Sequence, residues 1–219
     1  MTVLCLTGWQ QPADALTSIA PDALHFDYAS YTDVGAMFAA LPRAPKLAIG
    51  WSLGGQLLAR AAAEGYCRPQ AVLLLGAPFQ WLADEHFKEG FPQEMAGGVR
   101  EDYRREPEAM LKRLNGLVAL GDAHEKQITR TLNRGVRLWE NGMYWLNELT
   151  QFSCRSLDFS AFPRAIIVHG MKDKVIYPVN AEAYAKALPQ CELMLWPECA
   201  HAPHLHDSDV LRSLIAAHV

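Results

Sequence analysis

A serine between glycines is the first feature of the sequence whose residue types and spacing point to chemistry. Ser52 lies in the string GWSLGG at 50–55, which fits the pattern G-x-S-x-G. An apolar run at 47–49 precedes this string, and an Ala/Leu-rich stretch with helical character follows at 56–64. Small residues let a strand and a helix approach closely around such a serine, and the helix N-terminus favours the negative charge that develops there. The pattern predicts that Ser52 is a nucleophile.

A serine hydroxyl becomes a good nucleophile only beside a base that takes its proton. His201 follows an apolar run at 193–196, and Asp173 follows another at 166–168. A nucleophile on a strand–turn–helix has its partners in the chain order serine, acid, histidine. We therefore expect His201 to act as the base and Asp173 to accept its imidazole N–H, which fixes the tautomer and stabilises the imidazolium.

Two further histidines, His204 and His206, lie close enough to His201 in the sequence to compete for the role of base. Together with His201 and Asp207 they could also form a metal cluster, but the spacing fits no standard zinc pattern and we expect no metal. The five cysteines are odd in number and irregularly spaced, without a C-x-x-C pair. This favours buried free thiols over a disulfide framework or a zinc site. We expect no cofactor.

Acyl transfer also needs hydrogen-bond donors for the tetrahedral oxyanion. The backbone N–H of Leu53, directly after Ser52, is one candidate. The other is the backbone N–H of Trp9, which lies in the loop after the first apolar run, where Gly8 permits a turn. The simpler alternative is a turn that carries a buried aromatic side chain and has no catalytic role.

Short apolar runs alternate with helix-like segments along most of the chain, which is typical of a parallel sheet covered on both sides. A weaker run lies at 25–28. We predict an α/β fold with a mostly parallel sheet of about six strands flanked by helices. The main runs lie at 3–6, 47–49, 72–75, 166–168 and 193–196, and the helix-like segments at 56–64, 180–188 and 210–217.

The middle of the chain, from about 79 to 162, shows no convincing strand and is rich in charged and aromatic residues. It is too long for a plain crossover, so we expect several amphipathic helices that form a lid over one end of the sheet. Breaks are predicted near 90–92, 97–98, Gly116 and Gly121. The chain is then a single domain, 1–219, with a core of 1–78 and 163–219 and a helical lid of about 79–162.

The composition is that of an ordinary globular protein. Of the 219 residues half are hydrophobic and the formal net charge is −4, so nothing in the balance favours nucleic acid or an anionic membrane as a partner. The N-terminus carries no basic leader, and no apolar stretch approaches the roughly 18 residues of a membrane span. We expect a cytoplasmic monomer that acts on a small acyl ester.

Four short strings together resemble the pimeloyl-acyl-carrier-protein methyl ester esterases of biotin synthesis, within the α/β-hydrolase superfamily. They are Gly8-Trp9, GWSLGG at 50–55, HGMKD at 169–173 and HAP at 201–203. The superfamily resemblance covers essentially the whole chain and implies the α/β-hydrolase fold. The family resemblance rests on these strings alone. It implies hydrolysis of the methyl ester of pimeloyl-carrier protein through an acyl intermediate on Ser52, without a cofactor.

In that family, arginines on the lid recognise the acidic carrier protein. Arg130, Arg134 and Arg137 are spaced i, i+4 and i+7 with no acidic residue between them, so one helix would present them on one face. They are the candidates for carrier-protein binding, and a solvated helix face is the alternative. Aromatic side chains of the lid are the candidates for lining an acyl pocket: Trp81, Phe87, Tyr103, Trp139, Tyr144 and Trp145.

Three other functions stay open at the level of sequence. A short-chain carboxylesterase and an acyl thioesterase would use the same triad, so the residues do not separate one leaving group from another. A catalytically silent binding protein on the same fold is the third. The complete set of Ser52, Asp173 and His201 argues against it.

Overall fold

The structure is a computed structural model that describes residues 2–218. Its centre is one sheet of six strands: β1 (Val3–Leu6), β2 (Leu24–His25), β3 (Leu47–Trp51), β4 (Ala71–Leu75), β5 (Arg164–Gly170) and β6 (Cys191–Trp196). Their order across the sheet is β2-β1-β3-β4-β5-β6, and every neighbouring pair is parallel. The predicted α/β architecture with a parallel sheet of about six strands is confirmed.

Nine helices surround or extend this sheet in the part of the chain from 2 to 218. They are α1 (Val34–Ala40), α2 (Leu53–Ala63), α3 (Gln93–Arg105), α4 (Pro107–Ala119), α5 (Glu125–Arg134), α6 (Gly142–Gln151), α7 (Val179–Ala187), α8 (Pro203–His206) and α9 (Ser208–Ala216). The three predicted helix-like segments correspond to α2, α7 and α9. Helix α2 begins three residues earlier than predicted, because the turn at Ser52 is so tight that the helix starts at the next residue.

The prediction of a strand at 25–28 is wrong in extent. Strand β2 contains only Leu24 and His25, which pair with Leu4 and Cys5 of β1. Tyr28 instead begins a short 3-10 helix, and its buried hydroxyl donates a 3.1 Å hydrogen bond to the carbonyl of Thr7. The tyrosine is buried as expected of an apolar run, but it packs beneath the end of β1 instead of extending the sheet.

Helices α3–α6 lie between β4 and β5, and we call them the helical insertion. Gly121, with φ +83°, separates α4 from α5, and α3 begins just after Pro92, so two of the predicted breaks are correct. The breaks predicted at 97–98 and at Gly116 are wrong, because these glycines lie inside α3 and α4. A Cβ at any of them would meet nothing within 4 Å, so they mark solvent-facing helix positions and not turns.

Apolar side chains from the sheet pack on both of its faces. In β4, Leu73 and Leu75 belong to one buried cluster, whereas Val72 and Leu74 belong to another, as the alternation of side chains along a strand requires. The larger cluster also contains Leu111 of α4 and other residues of the helical insertion, so the insertion packs on the same core as the sheet. No helix within residues 2–218 combines the length and apolar character needed to cross a membrane.

Candidate active site

Ser52 occupies a strained turn between β3 and α2. Its backbone has φ 54° and ψ −125°, a conformation that residues with a side chain rarely adopt. Its N–H donates a 2.9 Å hydrogen bond to the carbonyl of Leu75 at the end of β4, which holds the turn against the sheet. A Cβ on Gly50 would lie 2.5 Å from the Cα of Gly55, so only glycine allows the strand and the helix to approach this closely.

The structure brings Ser52, His201 and Asp173 into one hydrogen-bonded chain. His201 Nε2 lies 2.9 Å from Ser52 Oγ, and His201 Nδ1 lies 2.6 Å from Asp173 Oδ2. Since a carboxylate only accepts, Nδ1 carries the proton that it donates to Asp173, and Nε2 is left as the acceptor for the serine hydroxyl. All three side chains are buried. The order and spacing of these groups are those of a serine nucleophile with its base and orienting acid.

The side chain of Asp173 is fully buried, and both of its carboxylate oxygens accept hydrogen bonds. Its Oδ1 accepts hydrogen bonds of 2.8 Å from the backbone N–H groups of Val175 and Ile176. Burial alone would raise the pKa of Asp173, but the charge of His201 and the hydrogen bonds from His169 and His201 outweigh it and hold that pKa well below its ordinary value. The carboxylate therefore stays ionised at ordinary pH.

His169 is a second histidine at the acid, and sequence reasoning missed it. Its Nε2 lies 2.7 Å from the carbonyl oxygen of Ile176 and 3.2 Å from Asp173 Oδ2, and the ring is fully buried. The two acceptors place the proton on Nε2, so the ring donates towards the carboxylate. The signal in the sequence was its spacing, four residues before Asp173 at the end of β5.

The backbone of His201 is held from two sides. Its N–H donates a 3.0 Å hydrogen bond to the carbonyl of Val118 in α4, and its carbonyl accepts a 2.8 Å hydrogen bond from Nε1 of Trp51. Gly76, just after β4, has φ +50°, and a Cβ there would lie 3.2 Å from His201 Nδ1. The helical insertion, the serine turn and the end of β4 therefore all contact the base.

The structure distinguishes His201 from His204 and His206, the two other histidines considered for the role of base. His204 is buried against the ring of Trp51, with ring centroids 4.3 Å apart, and neither of its nitrogens has a hydrogen-bond partner in residues 2–218. Burial, aided by the charge of His201, lowers the pKa of His204 to about 3, so it is neutral at ordinary pH. His206 faces away and its Nδ1 lies 2.9 Å from Asp122 Oδ1. Only His201 reaches Ser52 among the described histidines.

One group of side chains has the composition of a metal site. Donor atoms of Asp122, Cys199 and His206 lie within 4.8 Å of one another. Both oxygens of Asp122 already accept hydrogen bonds, Oδ1 from His206 and from the backbone N–H of His124, and Oδ2 from the backbone N–H of Ala200. Protein donors thus satisfy this carboxylate.

The loop after β1 lies directly against the serine. A Cβ on Gly8 would sit 3.3 Å from Ser52 Cβ, and Trp9 and Ser52 line the same cavity. Within residues 2–218 the backbone N–H of Trp9 has no acceptor, and neither has that of Leu53 at the first position of α2. Two unpaired donors on either side of the nucleophile are what a developing oxyanion requires.

Gln10 connects this loop to the helical insertion, and no pattern in the sequence indicated this role. Its backbone is left-handed, with φ 58°, and its side chain is buried. Nε2 donates a 2.6 Å hydrogen bond to the hydroxyl of Tyr103, and Oε1 accepts a 3.1 Å hydrogen bond from the N–H of Trp139. Trp9 adds a 2.8 Å hydrogen bond from its Nε1 to the carbonyl of Gly142.

A cavity next to Ser52 contains about 630 Å³ of space between atoms, counting the part that opens to solvent. Of the predicted lid aromatics only Trp81 lines it, joined by Phe91, which the sequence analysis did not single out. Helix α4 contributes Leu114, Leu117 and Val118 to the wall. Their spacing, i, i+3 and i+4, is that of one helix face and could have indicated from the sequence that they point inward. The lining residues are Gly8, Trp9, Gln11, Trp51, Ser52, Trp81, Phe91, Val99, Leu114, Asn115, Leu117, Val118, Leu146, Leu149, Val175 and His201.

The other predicted pocket aromatics join the insertion to the rest of the fold, so their assignment to the cavity wall is corrected. Tyr103 packs on Trp9, with ring centroids 4.9 Å apart. Trp139 meets Tyr28 edge-on at 5.3 Å, and the hydroxyl of Tyr144 accepts a 2.9 Å hydrogen bond from the N–H of Val34. Phe87 and Trp145 are buried but are likewise absent from the cavity wall.

The predicted basic face of the insertion is only partly present. Arg130 and Arg134 are exposed on α5, and Ile128 and Leu132 bury its other side. The helix ends at Arg134, and Gly135, a poor helix former, follows as its C-cap residue. Arg137 therefore lies beyond the helix, and the predicted common face of all three arginines is wrong.

Comparisons with known proteins identify the family and the relatives of this chain. Residues 3–213 match a family model described as "Alpha/beta hydrolase family". The chain is 28% identical over 184 residues to the pimeloyl-[acyl-carrier protein] methyl ester esterase of Aromatoleum aromaticum, covering 78% of this chain and 74% of that protein. A protein of the same name from Stenotrophomonas maltophilia is 28% identical over 187 residues, covering 80% of this chain and 69% of that protein.

A solved structure also resembles this one closely. An esterase from Exiguobacterium antarcticum superposes with a TM-score of 0.83 at 16% identity, covering 99% of this chain and 91% of that chain. At this identity the likeness concerns the fold. It confirms the predicted architecture, a parallel sheet flanked by helices with a helical insertion.

Proposed function

Because the chain belongs to the alpha/beta hydrolase family, we propose that it is a serine carboxylesterase with Ser52 as nucleophile, His201 as base and Asp173 as orienting acid. The observation that carries this proposal is the continuous chain of hydrogen bonds, 2.9 Å and 2.6 Å long, through the imidazole of His201. In this assignment the core is 1–78 and 163–219 and the helical insertion acts as a lid.

Acylation begins when His201 Nε2 takes the hydroxyl proton as Ser52 Oγ attacks the ester carbonyl carbon. The carbonyl oxygen becomes an oxyanion, which accepts hydrogen bonds from the N–H groups of Trp9 and Leu53. Asp173 stabilises the imidazolium without taking its proton. When the tetrahedral intermediate collapses, the carbon–oxygen bond to the alcohol breaks and His201 gives the proton to the leaving alkoxide.

Deacylation repeats the same proton transfers with water. His201 Nε2 removes a proton from a water molecule, whose oxygen attacks the acyl carbon on Ser52. The second tetrahedral intermediate is held by the same donors, and its collapse returns the proton to Ser52 Oγ as the acid leaves. No cofactor takes part in either half-reaction.

The substrate we propose is the methyl ester of a pimeloyl group on acyl-carrier protein. The two relatives named for that activity support it, each at 28% identity over more than three quarters of this chain. The cavity supports it too, because its wall away from Ser52 and His201 is apolar except for two buried amides. These are Gln11 and Asn115, which share a 3.2 Å hydrogen bond. An acyl chain with a methylene middle and a polar second end matches such a wall.

A carrier protein would dock on exposed cations of the insertion. Arg130 and Arg134 are exposed on α5, and neither forms an ion pair within residues 2–218. Unpaired surface cations attract an acidic partner and speed its association at low salt. Arg137, beyond the end of α5, adds charge nearby but does not share the helix face.

A general short-chain carboxylesterase is the second candidate. The almost wholly apolar cavity favours it, because such a wall accepts simple acyl chains without specific polar recognition. An acyl thioesterase uses the same triad chemistry and is separated from both esterases only by the choice of substrate.

Covalent labelling tests the nucleophile. A fluorophosphonate probe should label the wild-type protein at Ser52, and Ser52→Ala should lose labelling together with at least about 10⁴-fold of its esterase activity. Ser213→Ala, at an exposed hydroxyl on α9, is the matched control and should behave as wild type. A folded wild-type protein that the probe does not label would refute the proposal that this chain is a serine hydrolase.

Substrate comparison tests the finer assignment. Turnover of the methyl ester of pimeloyl-carrier protein is measured beside simple nitrophenyl esters and an acyl thioester. Arg130→Glu with Arg134→Glu should weaken only carrier-protein turnover, most strongly at low salt. Arg43→Glu, before the start of β3 at the opposite end of the sheet, is the matched charge reversal and should have no effect. Cleavage of simple esters alone would leave the carboxylesterase and refute the carrier-protein substrate.

A further inference from the structure

Asp122 lies between α4 and α5, and its carboxylate is completely buried. Its Oδ1 accepts a 2.8 Å hydrogen bond from the N–H of His124 and lies 2.9 Å from Nδ1 of His206. Its Oδ2 accepts a 2.8 Å hydrogen bond from the N–H of Ala200. Within residues 2–218 this buried carboxylate has no lysine or arginine partner, so these N–H donors are what stabilises it.

Two of these three donors, from Ala200 and His206, lie on either side of His201 in the sequence. Ala200 directly precedes His201, and His206 ends α8, the short helix that follows it. Two backbone hydrogen bonds join the same segments. The N–H of His201 donates to the carbonyl of Val118 at 3.0 Å, and the N–H of Ala123 donates to the carbonyl of Glu198 at 3.0 Å. The end of α4 and the start of α5 are therefore bonded to the loop of the base at several points.

We propose that Asp122 is a positioning residue that fixes the loop of His201 for catalysis, a role that rests on the proposed function. Residues 197–202 form no helix or strand, so their position depends on contacts with other parts of the chain. The imidazole must meet Ser52 and Asp173 at the same time, and a misplacement of about 1 Å costs about 10²-fold in rate. Asp122 bonds the backbone N–H of Ala200 before the ring and the side chain of His206 after it.

The carboxylate is suited to this task because of its acceptor capacity. Two oxygens accept all three hydrogen bonds, whereas an asparagine offers one oxygen and an alanine none. Asp122→Ala leaves the N–H of Ala200 buried and without its acceptor, next to the base. Asp122→Asn keeps one acceptor for that N–H and loses the other oxygen, so an intermediate effect is expected.

Three measurements separate positioning from general stability. They are kcat and KM with a nitrophenyl ester, the rate of fluorophosphonate labelling of Ser52, and the far-downfield proton resonance of His201 Nδ1–H in its short bond to Asp173. The control is Asp33→Ala, which removes an aspartate that caps α1 by accepting from the N–H of Ala36 at 2.8 Å. Thermal unfolding of every variant is recorded alongside.

Asp122→Ala should lower kcat and the labelling rate by about 10²-fold with little change in KM, and it should shift or abolish the downfield resonance. Asp122→Asn should fall between it and wild type. Asp33→Ala should leave all three readouts unchanged even where its melting temperature drops. If Asp122→Ala proves too unstable, His206→Phe, which removes one of the three donors, should show the same pattern in smaller measure.

Two results would overturn the inference. One is a wild-type labelling rate and an unchanged resonance in Asp122→Ala or, where that variant is too unstable, in both Asp122→Asn and His206→Phe. The other is an equal loss in Asp33→Ala, which would show that any lost capping bond has this effect. A wild type that the probe does not label refutes the proposed function instead, and the resonance of His201 then still reports whether Asp122 positions the ring.

Discussion

The indole Nε1 of Trp51 donates a 2.8 Å hydrogen bond to the carbonyl oxygen of His201. Trp51 directly precedes the nucleophile in the glycine pattern, and its ring is buried. One side chain thus connects the backbone that carries the base to the turn that carries Ser52. The distance between nucleophile and base is set partly by this bond and not only by the strands beneath them.

Trp51→Phe should lower kcat with little change in KM. Phenylalanine preserves the aromatic contact with His204 but removes the donor, so the carbonyl of His201 loses its partner. We expect the free energy of unfolding to drop by about 1–3 kcal/mol, measured by chemical denaturation, and ester hydrolysis to report the kinetic effect. Trp145→Phe is the control, because that indole is fully buried and its Nε1 has no partner among residues 2–218. Equal kinetic losses in both variants would contradict the role of the bond.

Gly76→Ala should impair the base through contact. The residue has φ +50°, which costs a side-chain-bearing residue about 1–2 kcal/mol, and the new Cβ would lie 3.2 Å from His201 Nδ1. We expect kcat to fall, measured with a nitrophenyl ester. Gly65→Ala carries the same backbone strain at φ +79°, but its nearest neighbour is the flexible Arg68 side chain at 3.7 Å. That control should lose stability and keep its turnover; a parallel loss of turnover would mean that strain alone is responsible.

Tyr103→Phe should weaken the proposed oxyanion site from a distance. Without the hydroxyl, the buried Nε2 of Gln10 loses a 2.6 Å hydrogen bond that helps to hold the loop beside Trp9. An unsatisfied buried donor costs about 1–3 kcal/mol. If half of that cost reaches the transition state, kcat should drop by about two- to tenfold. The control is Tyr144→Phe, which removes an equivalent bond to Val34 at the start of α1. Unchanged kcat in Tyr103→Phe would separate this loop from catalysis.

His204→Phe should flatten the acid side of the stability curve. The pKa of His204 is lowered from 6.5 to about 3 by burial and by the charge of His201. Between these values the unfolded chain binds a proton at this position that the folded chain does not, so the free energy of unfolding falls as the pH drops from 6.5 towards 3. Denaturation at a series of pH values should show a smaller decrease in the variant. His86→Phe, at an exposed position, is the control, and identical curves for wild type and His204→Phe would contradict this account.

Much of the fold could be predicted from the sequence, because each strand and the loop after it leave a pattern within a short stretch of residues. The glycine string around Ser52, and the loops of Asp173 and His201 after their strands, could be placed at one edge of the sheet without coordinates. The strands at 47–49 and 72–75 were recognisable because both faces of a central parallel strand are buried and their residues are uniformly apolar.

What the sequence could not supply are contacts between distant segments. The bond between Gln10 and Tyr103 joins residues 93 positions apart, and that between Asp122 and His206 joins residues 84 apart. Periodicity shows which side of an insertion helix faces inward, but not whether an inward ring meets the cavity or another loop. Tyr103 therefore looked like a pocket residue. Arg137 looked like part of α5 because a single glycine, Gly135, ends the helix before it.

The hydrogen bond from the N–H of His201 to the carbonyl of Val118 has a consequence for protein engineering. The insertion that lines the cavity also provides the acceptor for the N–H of His201, the carbonyl of Val118. Asp122, between α4 and α5, accepts a hydrogen bond from the N–H of the adjacent Ala200. A chimaera built by transplanting this segment from another hydrolase must bring its own acceptors to both places. Under the proposed function, replacing this segment would therefore change the cavity wall and the support of His201 together.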